Sequence, residues 1–513
     1  MKSSSPTPHP VPLDHIILKG RSDDIALIIK DEQYSYERLN LYIGRFAFWL
    51  RSQNVNSGDR VACWSGKGII ACIMPIAAAR AGLIYVPINP LLKAGQVAHI
   101  MHDSGAKLII ANKGRLAALN EHDENIENFA IYEEQQVFAA LQNDIPSWPM
   151  NPGDLDVDSL CAILYTSGST GRPKGVMLSH ANLTLGAQSV AHYLAMERDD
   201  VTLAVLPLSF DYGQNQLFST WYAGGAVVPL DYLLPRDVVK ACEKYCVTTL
   251  AAVPPLWVQL VEQHWPEEAV RHMRRLTNSG GALTQNLVQK LRSFFPKSKI
   301  FAMYGLTEAF RSTFLDPDLI DTHPTSMGRA IPFAEIMVVN KNGEKAAPDE
   351  EGELVHAGPL VAKGYWQDAK RTSERFRPAP DFSEYGAMAV WSGDTVKRAA
   401  DGLLYFMGRD DAMIKVSGNR VSPTEIEEIA IASHIAAEAC AIGRKDEKLG
   451  EAIILFVRAV DKEAGDNQDK LSSYLRQNLP NFMQPQEMIW LDIFPKNANG
   501  KLDRTALIEK IQG

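Results

Sequence analysis

Cysteine is scarce, with six residues in 513: Cys63, Cys72, Cys161, Cys242, Cys246 and Cys440. None forms a CxxC pair, and no nearby pair of histidines completes a metal site around Cys242 and Cys246. Their apolar surroundings mark most of them as small core residues in a reduced compartment. Positive charge is not in excess: 52 Lys and Arg face 61 Asp and Glu, a net charge of −9. That removes the electrostatic footprint of a nucleic-acid binder and argues against an anionic membrane surface as the main partner. Long apolar runs are also missing. The stretch from Gly68 to Ala79 is bounded by Lys67 and Arg80 and is too short to span a bilayer. The longer uncharged runs at 212–230 and 245–261 are broken by polar residues, glycines or Pro254-Pro255. Met1 to Pro12 is rich in Ser and Pro without an apolar core, unlike a signal peptide. No membrane span and a cytoplasmic location are therefore expected.

The chain is too long for one ordinary hydrophobic core, and 46% apolar with 22% charged residues suits a globular protein of several domains. Between 201 and 305 strand-like and helix-like segments alternate. Strands are expected at 201–208, 226–230, 248–253 and 299–303. A helix is expected from Pro235, with a proline and the acidic Asp237 in its first turn, and another from Leu256. Such alternation implies parallel sheets covered by helices, with ligands beyond the carboxyl ends of the strands. After Arg409 the character changes. Ser422-Pro423-Thr424-Glu425 reads as a capping box opening a helix toward Ile435, followed by a strand at 451–460 and a helix at 470–478. The expected fold is α/β: a large N-terminal domain of helix-covered sheets over 1–409 and a small α+β C-terminal domain over 410–513.

The most informative segment is Thr166-Ser167-Gly168-Ser169-Thr170-Gly171-Arg172-Pro173-Lys174-Gly175, which follows an apolar strand candidate, Cys161 to Tyr165. Glycines let backbone N–H groups approach phosphate oxygens, hydroxyls donate further hydrogen bonds, and the cations offset charge. It is not the common phosphate loop, because Lys174 is followed by Gly175 rather than by Ser or Thr. It resembles the phosphate-binding signature of the adenylate-forming superfamily, which includes acyl-CoA synthetases, luciferases and peptide-synthetase adenylation domains.

That resemblance spans nearly the whole chain and assigns roles to matching positions. Tyr304-Gly305-Leu306-Thr307-Glu308 resembles the YGxTE segment: it implies adenine stacking by Tyr304, an α-phosphate contact by Thr307 and a Mg²⁺ ligand in Glu308. Asn278-Ser279-Gly280-Gly281-Ala282 resembles the small-residue segment lining the adenine and acyl pockets. Trp391-Ser392-Gly393-Asp394 is similar to the motif whose Asp binds the ribose hydroxyls, and Gly408-Arg409-Asp410-Asp411 to the hinge motif, with Arg409 on ribose and Asp411 as pivot. The segment Lys415 to Arg420 resembles the loop that enters the site for thioester formation. Pro495-Lys496-Asn497-Ala498-Asn499-Gly500-Lys501 resembles the C-terminal motif whose final Lys bridges the carboxylate substrate and the α-phosphate; Asn497 stands where Thr is usual. The resemblance implies ATP with Mg²⁺, formation of an acyl-adenylate and pyrophosphate, and acyl transfer to CoA or to a phosphopantetheine thiol, the small domain rotating between the two steps.

Ser209-Phe210-Asp211-Tyr212-Gly213 follows a strand where the acyl pocket should begin. It is similar to the FDxS segment of amino-acid adenylation domains, whose Asp pairs with an α-amino group, and Gly213 departs from that motif's Ser. Asp211, Tyr212, Asn278 and Gly305 are the expected substrate-facing residues. The segment and Val416 to Glu425 also resemble exosortase-associated AMP-forming acyl-CoA ligases. A fatty, aryl or amino acid stays open as the substrate, and CoA or an acyl carrier protein as the acceptor. A non-catalytic nucleotide or acyl sensor and a luciferase-like oxidative enzyme are the readings from other classes.

Overall fold

A computed structural model describes residues 6–122, 128–143, 150–166, 173–409, 414–416, 419–421, 423–446, 449–461, 466–479 and 481–512. Three sheets organise them. The first has six strands in the order Ala130–Glu133, Leu108–Ala111, Arg60–Trp64, Ile84–Pro87, Leu160–Thr166 and Lys174–Ser179. All pair in parallel except the last, which returns antiparallel to Leu160–Thr166 with Thr166 opposite Lys174. The glycine-rich loop therefore joins the two strands of a hairpin, and its residues 167–172 lie outside the described ones.

A longer sheet begins with a parallel block: Ile25–Ile29, Ala226–Pro229, Val201–Ala204, Thr249–Ala252, Arg275–Asn278 and Lys299–Tyr304. Ala252 sits opposite Asn278, and Asn278 opposite Ala302, so these strands end level with one another. The segments that leave them, at Pro254, Gly280 and Gly305, consequently share one edge. Beyond Lys299–Tyr304 the sheet continues antiparallel through Thr313–Phe314, Ser326–Ala330, Leu404–Arg409, Met388–Arg398, Glu351–Ala357 and Glu335–Val339. Asp394 is thus a strand residue, paired in register with Arg409.

A third sheet, with Asn419–Val421, Ile414–Val416, Gly450–Ala459, Ala436–Asp446 and Glu487–Trp490, forms the small C-terminal domain with the helices Pro423–Ala432, Asn467–Asn478 and Arg504–Gln512. The α/β architecture with one large and one small domain is the one expected from the alternation of elements.

Local differences have local causes. The strand expected over 201–208 stops at Ala204. Pro207 has no N–H to give a ladder, and the Val205 carbonyl accepts instead from the Lys67 ammonium at 3.0 Å. The helix expected from Leu256 starts at Pro254, because both prolines fit a first turn whose N–H groups need no partner. The helix from Pro423 ends at Ala432, short of Ile435. The helix from Pro235 is as expected, its Asp237 carboxylate accepting the N–H groups of Leu233 and Leu234. The uncharged run after Tyr212 is a buried helix, Asp211–Ala223, closed by Gly224 at φ 81°. No helix among the described residues is long and apolar enough to cross a membrane.

Candidate active site

Glu308 is buried, in a short helical turn directly after the Lys299–Tyr304 strand. Its Oε1 accepts from the Lys174 ammonium at 3.0 Å and from the Tyr365 hydroxyl at 2.6 Å. Lys174 also donates to the Tyr365 oxygen at 2.7 Å, with its ammonium 4.2 Å from that ring's centroid. Burial alone pushes the Glu308 carboxyl up. The Lys174 charge and the two hydrogen bonds outweigh it and hold the group below its ordinary value. The site therefore carries a desolvated, ionised carboxylate beside the base of the glycine-rich loop. Thr166, at the other foot of that loop, has a buried hydroxyl with no partner among the described residues.

On the facing side Lys501 reaches in from the C-terminal segment. A Cβ added to Gly280 would lie 3.0 Å from Lys501 Nζ and closer still to its Cε. Gly280 has φ 81°, so this position serves glycine twice, by backbone conformation and by space. Lys501 Nζ also lies 5.9 Å from the Phe210 ring centroid. Asn497 holds the approach: its Oδ1 accepts from the N–H groups of Asn499 at 3.0 Å and Lys501 at 3.1 Å. The amide of Asn89 in the large domain donates to Ala498 O at 2.8 Å and Asn499 Oδ1 at 3.0 Å. Lys496 donates to Pro255 O at 3.3 Å. These contacts dock the C-terminal loop over the sheet edge.

Between the domains lies a cleft of about 570 Å³, bordered by Asn278, Gly280, Gly281, Ala282, Tyr304, Gly305, Asp394 and Lys501. Its size suits a nucleotide-sized ligand. The Tyr304 hydroxyl donates to the Asp394 carboxylate, uniting the expected adenine and ribose residues at one wall. Asn278 is buried, its Nδ2 donating to Gly281 O at 2.8 Å while its Oδ1 has no donor among the described residues. The segment it holds is kept small by packing, since a Cβ added to Gly281 would meet the Pro254 ring at 3.0 Å.

Asp211 opens the Asp211–Ala223 helix and accepts from the Thr307 hydroxyl at 3.1 Å. No cation among the described residues pairs with it. Tyr212 is buried, its hydroxyl 2.8 Å from Thr277 Oγ1. Gly213, where the resembling motif has Ser, has no room for a side chain: an added Cβ would lie 2.7 Å from the Pro207 carbonyl carbon and closer to its oxygen. The departure thus follows from how tightly this helix sits on the preceding turn.

Several expected residues fall outside the described ones: Ser167, Gly168, Ser169, Thr170, Gly171 and Asp411, as do the side chains of Arg409 and Lys415. Their strands end at Arg409 and run through Lys415. Tyr365 and Asn89 are not legible from the sequence; each acts from a segment with no motif of its own. Ser179 caps the helix beginning at His180, whose ring accepts from Leu13 N–H and is pushed down to about 4 by burial, so it is a structural histidine. The expected lack of a histidine pair near Cys242 and Cys246 needs one amendment. Cys246, which is exposed, lies with Glu268 and the single His272 so that their ligand atoms are within 4.8 Å of one another.

Comparison with known proteins accords with this geometry. The AMP-binding enzyme family matches residues 17–366, and the AMP-binding enzyme C-terminal domain matches residues 425–501. A linear gramicidin synthase of Brevibacillus parabrevis is 29% identical over 501 residues, covering 96% of this chain and 9% of that protein. The chain therefore spans under a tenth of that relative's length. The crystal structure of ATP-bound MatB from Rhodopseudomonas palustris superposes with a TM-score of 0.88 at 25% identity, covering 98% of this chain and 99% of that one. The apo form of the same protein, with the same identity and coverage, gives 0.79. With both family regions matched over most of its length, the chain belongs to the AMP-binding enzyme family.

Proposed function

We infer that this chain is an AMP-forming acid–thiol ligase. It joins a small carboxylic acid to the α-phosphate of ATP, releases pyrophosphate, and passes the acyl group to a thiol. The observation that carries this reading is the approach of Lys501 to Gly280, in a cleft that also holds Tyr304 and Asp394. A carboxylate and a triphosphate repel each other, so their reaction needs a mobile cation between them and fixed donors around them. Lys501 supplies the first, with Nζ at the mouth between the nucleotide cleft and Phe210-Asp211. Thr307, Thr166 and the loop over 166–174 supply the second.

The nearer fit for the nucleotide is Tyr304 against adenine, with Asp394 and Arg409 on ribose and Gly280, Gly281 and Ala282 flanking. Glu308 fits Mg²⁺, because a hard cation takes carboxylate oxygen and this carboxylate is held ionised although buried. When bound, the ion supplies charge neutralisation on the phosphates. Lys174 keeps the Glu308 carboxylate oriented, and Tyr365 keeps Lys174 oriented. The domain boundary is proposed at 409/410, with Asp411 as pivot and the Lys415–Arg420 segment replacing Lys501 for thiol transfer. The thiol belongs to CoA or to the phosphopantetheine arm of an acyl carrier protein, and the location is cytoplasmic. A second reading, loading of an amino acid onto a carrier protein, is favoured by the Asp211 carboxylate, which accepts from Thr307 and pairs with no cation among the described residues.

ATP–pyrophosphate exchange over fatty, aryl and amino acids tests both, with Lys501→Ala and Asp211→Ala alongside. Exchange abolished by Lys501→Ala supports the assignment, and full exchange in that variant would refute it. Amino-acid exchange that collapses in Asp211→Ala selects the second reading; fatty or aryl exchange indifferent to it selects the first.

A further inference from the structure

Arg311 does nothing in the reaction outlined above, yet the fold commits strain to it. Its side chain is 1% exposed. No carboxylate or carbonyl among the described residues accepts from the guanidinium, and its Nε is without a partner. Its compensating contact is the face of Tyr212, with the guanidinium carbon 4.6 Å from the ring centroid. Other buried arginines are matched by carboxylates: Arg80 by Asp14 and Arg275 by Asp200. A desolvated cation without an anion is costly, and the arginine fork presents five donors in a fixed plane.

The backbone just before Arg311 is strained. Phe310 has φ 62° and ψ −71°, and Arg311 N–H donates to Ala309 O at 2.7 Å. This is a three-residue γ-turn of the rare positive-φ kind, in a residue that is not glycine. Two glycines make room for it. A Cβ on Gly305 would lie 2.8 Å from Arg311 Cα, and one on Gly186 would lie 2.6 Å from the Phe310 ring. Strain of this sort persists where the surroundings over-determine it, and it clusters at ligand sites.

The turn delivers Arg311 to a narrow cavity of about 20 Å³ lined also by Tyr212, Asn215, Gln216, Thr277 and Met303. Met303 borders the interdomain cleft as well, so cavity and cleft adjoin across it. Asn215 Oδ1 and Gln216 Oε1 are buried there without donors among the described residues. The cavity has room for about one water-sized group, so a larger end must displace side chains around it, and an acyl chain does not fit.

We propose that Arg311 binds a second anionic group, a carboxylate or like oxyanion, at the far end of the acid that this site activates. The proposal rests on the acid-activating reading. One carboxylate of the substrate meets Lys501 at the mouth; the distal one takes the guanidinium fork, the strongest pairing open to it. The orphan amide oxygens accept from a donor beside that group, such as a hydroxyl or an ammonium. A neutral hydrocarbon end leaves the Arg311 charge buried and unpaired, which is how the site rejects it.

The test uses the full chain and measures KM and kcat for ATP–pyrophosphate exchange. The probes are straight-chain dicarboxylic acids, monocarboxylic acids of equal carbon number, and α-amino dicarboxylic acids. Dicarboxylates are expected to be preferred, chiefly through KM. In Arg311→Met the ratio of dicarboxylate to monocarboxylate kcat/KM should fall by about a hundredfold, with Arg311→Lys recovering part of it. Monocarboxylates turned over as well as dicarboxylates by the unaltered protein overturn the proposal, whether or not the variants fold. So does a preference that survives in Arg311→Met. Calorimetric titration with ATP alone separates the two layers of inference. A protein that binds ATP yet exchanges with no dicarboxylate refutes the role of Arg311 and leaves acid activation to the wider panel; one that binds no ATP refutes both.

Discussion

Gly280→Ala isolates the contact on which the adenylation assignment depends. The added methyl carbon would sit 3.0 Å from Lys501 Nζ and nearer its Cε. The obstructing atoms are the end of a flexible side chain, so the fold can yield by letting Lys501 withdraw about 1 Å to ordinary van der Waals distance. The backbone cost is separate: φ 81° in a residue with a Cβ costs about 1–2 kcal/mol. Misplacing a positioned group by about 1 Å costs roughly a hundredfold in rate, equivalent to about 2.7 kcal/mol. Gly280→Ala should therefore lower exchange kcat/KM about a hundredfold while moving the urea midpoint only modestly. Because the deficit is ascribed to Lys501, it must disappear when Lys501 is absent. In a cycle of Gly280→Ala, Lys501→Ala and the double variant, the double variant should be no slower than Lys501→Ala alone. Thiol transfer from supplied acyl-adenylate should be spared in all three. A hundredfold loss of that thiol transfer in Gly280→Ala and in the double variant would falsify the mechanism, because Gly280 would then act on the nucleotide and not through Lys501.

Two further outcomes follow from burial. The Glu428 carboxyl borders the same cleft and is pushed up from 4.5 to about 7 by burial and by the charges of Glu427 and Glu425. Between those values the folded chain holds a proton that the unfolded chain has released, so stability falls as pH rises through that window; Glu428→Gln should remove the fall and gain about 2 kcal/mol above pH 7 by urea titration, and an unchanged pH slope would refute the assignment. Gly213→Ser must push a side chain against the Pro207 carbonyl, which is backbone and cannot rotate aside. It should lose about 3 kcal/mol in the same assay, and a midpoint equal to that of the unaltered chain would show that the helix has slack there.

What could be read from the sequence is what is local. The Thr166–Lys174 run, the helix start at Pro235 and the Gly500-Lys501 ending each carry their signal in consecutive residues, and the helix does start at Pro235. Strand ends were less legible, because Ala204 ends its strand through Pro207 and a lysine from far earlier in the chain, Lys67. The neighbours of Glu308 were illegible for the same reason. Tyr365 is 57 residues away and comes to it only because the 358–366 segment folds back against the Lys174–Ser179 strand, where Lys363 and Trp366 donate to Met177 O and Gly175 O.

Arg311 shows the limit most clearly. In sequence it is one charged residue three positions after a recognisable acid, in a run that reads as an ordinary loop. Only the sign of φ at Phe310 turns it inward, and only Gly186, from a different element, leaves space for the ring that must swing away. Sequence patterns report propensity, and a positive φ at a phenylalanine runs against propensity. A feature held against local preference must be sustained by tertiary contacts, and such contacts are retained here at a position where the reaction outlined above has no use for a cation. The same logic separates the two ends of the substrate site. On the proposed function, Lys501, Glu308 and Thr307 sit in motifs because every acid would need its carboxylate activated in the same way. On the proposal made for Arg311, that residue, Asn215 and Gln216 sit outside motifs because recognition of the far end of the acid would be written in packing instead of in consecutive residues.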